Sequence, residues 1–199
     1  MPKIITLAHQ KGGVGKSTLA FNLAHKFKAH VKTAVVDVDP QGTMIQISPM
    51  VEGYDVLTKP KNIKDLLKLD YDVIFVDTPP YLSNLLTDLI EYSSLIIVPT
   101  KAGIADLMAI RSTIDMLKEG NAENKSLIVF NMVKPNTTIT DEIKKMTSEY
   151  GIEICETMIS DLVAFTRSFV NNGLEKSSNK NAQNQLDELT QEVLIKINN

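Results

Sequence analysis

Residues Gln10-Lys11-Gly12-Gly13-Val14-Gly15-Lys16-Ser17-Thr18 bring two lysines, three glycines and two hydroxyls into nine positions. A turn without side chains lets several backbone N–H groups converge on phosphate oxygens, and a helix opening after it adds the partial positive charge of its N-terminus. In such a loop Lys16 neutralises the β- and γ-phosphates of a nucleotide, and the Ser17 hydroxyl ligates Mg²⁺. The spacing departs from GxxxxGK[ST] at one place, because Gln10 stands where the first glycine belongs. A second lysine, Lys11, opens the loop instead. It precedes the glycines, so its side chain leaves the loop on the far side from Lys16 and is poorly placed for the γ-phosphate of its own site.

Two further segments supply carboxylates. Val36-Asp37-Val38-Asp39-Pro40-Gln41-Gly42 ends an apolar run in a turn, which places both acids beside the loop although alternate strand residues face opposite ways. Asp72-Val73-Ile74-Phe75-Val76-Asp77-Thr78-Pro79-Pro80 is an apolar run closed by an acid. A carboxylate there binds Mg²⁺, usually through water, and depends on the dry strand behind it for its position. Thr78 to Tyr81 is then placed to sense the γ-phosphate.

The elements that must hold these groups follow from periodicity. Val- and Ile-rich runs at Ile4–Ala8, Thr33–Val36, Asp72–Val76, Leu95–Val98 and Leu127–Phe130 are too uninterrupted for strands with one wet face, and they predict buried parallel strands. Helical spacing lies between and after them, at Ser17–Phe27, Ile63–Leu69, Leu82–Tyr92, Ile104–Leu117 and Thr140–Tyr150. The alternation predicts a three-layer α/β/α domain with a mostly parallel central sheet and ligands beyond the carboxyl ends of its strands. Ser160–Val170 reads as a helix, Asn171–Gln185 as a polar Asn-rich loop, and about 186–198 as a last helix with Leu186, Leu189, Val193 and Ile197 on one face.

A chain of 199 residues, 43% hydrophobic and 23% charged, has the material for a single domain with a sizeable core. Its net charge of -3 argues against a globally basic nucleic-acid coat, though not against a local basic patch. One cysteine, Cys155, excludes an internal disulfide and any CxxC metal site, which fits a reducing cytoplasm. No signal peptide is expected from the short apolar start, and the sequence has no run of about 18 apolar residues. The last helix carries Asp187, Glu188 and Glu192 where a membrane-lying helix needs lysines, so no membrane contact is expected.

KGGVGKST, DxDPQG and the apolar run ending in Asp77 together resemble the deviant Walker A ATPases of the ParA/MinD type, which share a P-loop NTPase fold. The resemblance covers nearly the whole chain. It implies that Lys11 crosses a dimer interface to the partner's nucleotide, that Asp39 orients the attacking water and contacts the Mg²⁺ shell, and that Asp37 supports the loop and metal side. It also implies that Lys11, Gly12, Gly13, Val14, Gly15, Lys16, Ser17 and Thr18 bind ATP, with Asn131 hydrogen-bonding adenine, and that Ser17, Asp39 and Asp77 serve Mg²⁺. Val98-Pro99-Thr100 followed by Asp106 resembles the start of a dimer-facing helix.

Within the family the chain is most similar to the short, ParF-like partition proteins. Iron–sulfur members need more cysteines, and amide-ligase members need a further domain. MinD-type members need a basic amphipathic tail. The expectation is an ATP-dependent homodimer that binds DNA nonspecifically, is stimulated by a centromere-binding ParB-type partner, and is cytoplasmic and nucleoid-associated. With the loop beginning at residue 11, no operator-reading extension is expected. Lys134, Lys144, Lys145, Arg167, Lys176 and Lys180 lie in the half where the family places its DNA surface. The family commonly has an arginine near Val163; here the nearest is Arg167, one turn on. Two alternatives stay open: an ATPase that positions a protein assembly, and an ATP-gated regulator with negligible turnover.

Overall fold

The computed structural model describes residues 1–81, 84–134 and 139–198. Seven strands form one sheet in the order β3-β2-β4-β1-β5-β6-β7: β1 Lys3–Leu7, β2 Thr33–Asp37, β3 Asp55–Thr58, β4 Val73–Asp77, β5 Leu95–Thr100, β6 Ser126–Phe130 and β7 Glu153–Ile154. Every pairing is parallel. Seven α-helices accompany it: α1 Lys16–Phe27, α2 Thr43–Ile47, α3 Asn84–Tyr92, α4 Ile104–Glu119, α5 Ile139–Ser148, α6 Val163–Asn171 and α7 Lys180–Asn198.

The unbroken apolar runs are explained by two covered faces. Ile5, Leu7, Val35 and Phe75 point into a core built with α1, α6 and α7, while their neighbours Ile4, Ala34, Val36, Ile74 and Val76 point into one built with α3 and the segment Ile63–Lys68. Both layers are apolar, so a polar side chain within a central strand needs a partner of its own, as Thr6 finds in the Ser93 hydroxyl at 2.7 Å. The acids of the central strands stand at their carboxyl ends.

Two local expectations change, two edge strands come in addition, and one helix is described only in part. Ile63–Lys68 is a 3-10 helix, not an α-helix. The edge strands β3 and β7 are short and partly exposed, which removes the apolar signature that marks the central ones. Of the helix expected over Leu82–Tyr92, Leu82 and Ser83 lie outside the described residues. The loop expected over 171–185 shrinks to residues 172–179, because the Asn and Gln side chains in it act on the main chain. Asn179 Oδ1 accepts the Ala182 N–H at 3.0 Å and so caps α7, and Gln183 Nε2 donates to the carbonyls of Leu174, Glu175 and Ser177.

Candidate functional site

The loop between β1 and α1 turns through Gly13 at φ 70° and Gly15 at φ 93°, conformations that a Cβ disfavours. At Gly15 a Cβ would also lie 2.2 Å from Asn131 Nδ2. Gly15 is the residue before α1 and supplies no side-chain cap, so the free first-turn N–H groups of the helix are left for a ligand. Lys16 is buried, and its Nζ donates to the carbonyls of His9 (3.1 Å) and Lys11 (3.2 Å). Burial lowers its pKa, while Asp77 and then Asp39 act to keep it charged. Ser17 and Thr18 sit on the same turn. A cleft of about 360 Å³ opens over Gly12, Gly13, Lys16, Ser17 and Asp39, within the size range of nucleotide pockets.

Three carboxylates stand at the β2 and β4 ends. Asp37 is buried and saturated: Oδ1 accepts the Asp39 N–H at 3.0 Å, and Oδ2 accepts those of Met44 (2.8 Å) and Ile45 (3.2 Å) at the start of α2. Asp39 lines the cleft, with its Oδ1 accepting the Gln41 N–H at 2.9 Å. Asp77 lies in register with Asp37 and Leu7, is 1% exposed, and has no hydrogen-bond partner on either oxygen among the described residues. Burial pushes its pKa up to about 7, and Asp37 and Asp39 add to this; the Ser17 hydroxyl, near enough to interact but outside hydrogen-bond geometry, and Lys16 pull the other way. An unpartnered buried carboxyl beside Ser17 is the kind of group that Mg²⁺ with its water shell satisfies. The described residues hold no cluster of three metal-ligating side chains, and Mg²⁺ bound mainly through phosphates and water needs none.

Lys11 points out of the loop, as its position before the glycines requires. Its Nζ pairs with Asp106 Oδ1 at 2.6 Å on the first turn of α4, beside the exposed Ile104 and Met108. Asn131 is buried, and its Nδ2 donates to the Val14 carbonyl at 2.8 Å, so in this structure its amide braces the loop. The neighbouring cleft wall is formed by Met132 and Phe169. These two, with Thr43, were not singled out in the sequence. Met132 and Phe169 are apolar residues brought in by distant segments and carry no local signal. His9 could have been noticed as a histidine touching the loop, and Asp106, named only for the start of its helix, as an acid able to answer Lys11.

The lysines and arginine expected to meet DNA are spread out. Lys144 and Lys145 are on α5 and Lys134 follows β6, whereas Arg167 on α6, Lys176 in the loop after it and Lys180 at the start of α7 belong to the opposite layer. Lys144 pairs with Glu156 at 2.9 Å, and Lys180 Nζ donates to Gln183 Oε1 at 2.9 Å. Lys145, Arg167 and Lys176 are exposed. Among the described residues no helix is long and apolar enough to cross a membrane.

Residues 5–174 match the CobQ/CobB/MinD/ParA nucleotide binding domain. The Maintenance of carboxysome distribution protein A of Gloeobacter kilaueensis is 28% identical, over 84% of this chain and 81% of that one. The chromosome-partitioning ATPase Soj of Thermus thermophilus is 26% identical, over 78% of this chain and 80% of its own. A plasmid partition protein of Borrelia burgdorferi bound to AMPPNP has a similar fold, with a TM-score of 0.76 at 20% identity, covering 96% of this chain and 100% of that one. The cleft at the strand ends, the glycine loop and the three-layer parallel sheet thus have their counterpart in one group of P-loop folds, and the chain belongs to the CobQ/CobB/MinD/ParA nucleotide-binding family.

Proposed function

We propose that the chain is a ParA-type ATPase that dimerises on ATP, binds DNA nonspecifically as the dimer and is reset when a centromere-binding partner stimulates hydrolysis. The observation that carries the nucleotide part is the Asp77 carboxyl, buried and unpartnered between the Lys16 ammonium and the acids of β2. Mg²⁺ held near Ser17 and Asp77 supplies charge neutralisation at the phosphates. The chain's own residues do the rest. The N–H groups of the Gly12–Thr18 loop cradle the phosphates, and Lys16 exchanges two carbonyl contacts for phosphate oxygens. Asp39, in the cleft and only lightly committed to Gln41, orients the attacking water.

Lys11 is the group that makes hydrolysis depend on a second copy. Its ammonium leaves the loop toward α4, next to the exposed apolar pair Ile104 and Met108, which supports a role across an interface. A charge given in trans makes the nucleotide part of that interface. The partition reading rests on the similarity to Soj and to the Borrelia protein. Its test is binding to nonspecific duplex with ATP, with ADP and without nucleotide across a salt series, beside light scattering under the same three conditions. ATP-specific dimers with steeply salt-dependent DNA binding are expected. A monomer throughout contradicts the switch, and absence of salt-sensitive binding with ATP contradicts the DNA role.

A second reading is favoured by the relative named for carboxysome distribution: the same ATPase positioning a protein assembly. Pull-down of the partner separates the two.

A further inference from the structure

His9, the second residue after β1, is taken up by none of the roles above. Its ring is 1% exposed. Nδ1 accepts the Lys11 N–H at 2.8 Å, which makes Nδ1 the bare nitrogen and Nε2 the protonated one. Burial first, then Lys16, pushes its pKa down to about 4 against the opposing pull of Asp106, so the ring is neutral near pH 7. Among the described residues Nε2–H is buried without a partner. The ring borders a void of about 10 Å³, the scale of one water, closed by Pro79 and Tyr81 on one side and Leu86 and Leu89 on the other.

The segment Thr78–Tyr81 is therefore a wall with two sides. Thr78 and Pro80 line the nucleotide cleft; Thr78, Pro79 and Tyr81 line the void at His9. Of the other lining residues, Leu85, Leu86 and Leu89 lie within α3, where helix formation engages their carbonyls, and Gln10 has its amide on Met116 Sδ. The main-chain carbonyls of the wall are the acceptors left to Nε2–H. Thr78 anchors it, with Oγ1 donating to the Leu7 carbonyl at 2.7 Å.

We propose that His9 is a positioning residue that couples this wall to Lys11. Nδ1 holds the main chain from which the Lys11 side chain departs, and Nε2–H is the donor that a carbonyl of Thr78–Tyr81 takes up when nucleotide reorders the wall. The inference rests on the ATP reading above and adds the path by which occupancy of the cleft reaches Lys11. A histidine suits the task because its two nitrogens face opposite directions on a rigid ring. Asn reproduces only the near acceptor, and Gln only the far donor.

The test is nitrogen-detected NMR of the full chain, whose three histidines are few enough to assign, with and without a non-hydrolysable ATP analogue and Mg²⁺. Hydrogen exchange and light scattering accompany it on His9→Asn and His9→Gln. The expected wild-type ring carries its proton on Nε2, and that proton becomes protected when the analogue binds. His9→Asn, which cuts the path at the wall, loses the nucleotide-induced protection of the Thr78 and Tyr81 amides and weakens ATP-driven dimerisation about fivefold. His9→Gln keeps that protection and weakens dimerisation about fivefold, the worth of one hydrogen bond. A wild-type proton on Nδ1, an Nε2 signal indifferent to bound analogue, or two variants that both match wild type would overturn the proposal, and the two spectroscopic results stand even if a variant fails to fold. A wild-type chain that binds no analogue overturns the ATP reading instead, and the coupling with it; the nucleotide-free tautomer then still decides whether His9 holds Lys11.

Discussion

Asp37 and Asp77 close adjacent parallel strands in the same register, both buried, and yet they are opposites. Asp37 accepts three backbone N–H groups and shows what a carboxylate looks like when the fold itself uses it. Asp77 accepts none and is held at a pKa near 7 by burial. Charge-assisted hydrogen bonds stabilise a buried acid, and an unpartnered one destabilises the fold until something binds it. The β2 end is built to stand alone, whereas the β4 end is built to be completed. Asp39 is intermediate, fixed by a single bond at the cleft's edge.

Substitutions at these ends separate structure from chemistry. The largest effect is expected on turnover: Asp39→Ala, which removes the group proposed to orient the water, should lower the ATP hydrolysis rate by about 10²–10⁴-fold with nucleotide affinity retained, read by phosphate-release and binding assays. Asp37→Ala acts on the fold, leaving buried amides at the start of α2 without an acceptor. It costs about 2–4 kcal/mol of stability in denaturant unfolding.

Asp77→Asn works in the opposite direction. A folded pKa raised from 3.8 to about 7 makes the native state the weaker acid, so the group's contribution is intact below about pH 4 and is lost as pH rises through 7. Without Mg²⁺ and nucleotide, Asp77→Asn is therefore more stable than wild type at pH 8 by about 1–4 kcal/mol, and the difference vanishes near pH 4. Wild-type stability alone does not isolate this. His9, with its pKa lowered to about 4, gains stability with rising pH over part of the same window, so the variant difference is the quantity to measure.

The smallest effect extends the comparison to a third acid. Asp106 is satisfied by Lys11, but through a half-exposed ion pair worth at most about 1 kcal/mol. Asp106→Asn, by freeing Lys11, should lower the ATP concentration for half-maximal dimerisation by no more than about fivefold in light scattering.

Much of this end of the molecule is legible in the sequence because its motifs are contiguous: strand, glycine loop, lysine, hydroxyl and helix follow one another, and Asp77 closes its own apolar run. The difference between Asp37 and Asp77 is not legible. Both read as acids at strand ends, and only the fold of Gly42–Ile45 back over Asp37 tells them apart. Phe169 and Met132 reach the cleft from remote segments without any pattern to announce them. The edge strands β3 and β7 lack two apolar faces, so the rule that finds the central strands misses them. The C-terminal lysines are ordinary surface residues to both sequence and fold, and distribute over two layers.

The central claim is that Asp77 is the acid the fold leaves open for Mg²⁺ with nucleotide. Calorimetric titration of ATP with and without Mg²⁺, on wild type and Asp77→Asn, tests it most directly. The account predicts that Mg²⁺ tightens wild-type binding and that Asp77→Asn loses about 10–100-fold of that gain, with its Mg²⁺-free affinity unchanged. An Asp77→Asn protein that keeps the full Mg²⁺ effect, or a wild type that shows none, would contradict it.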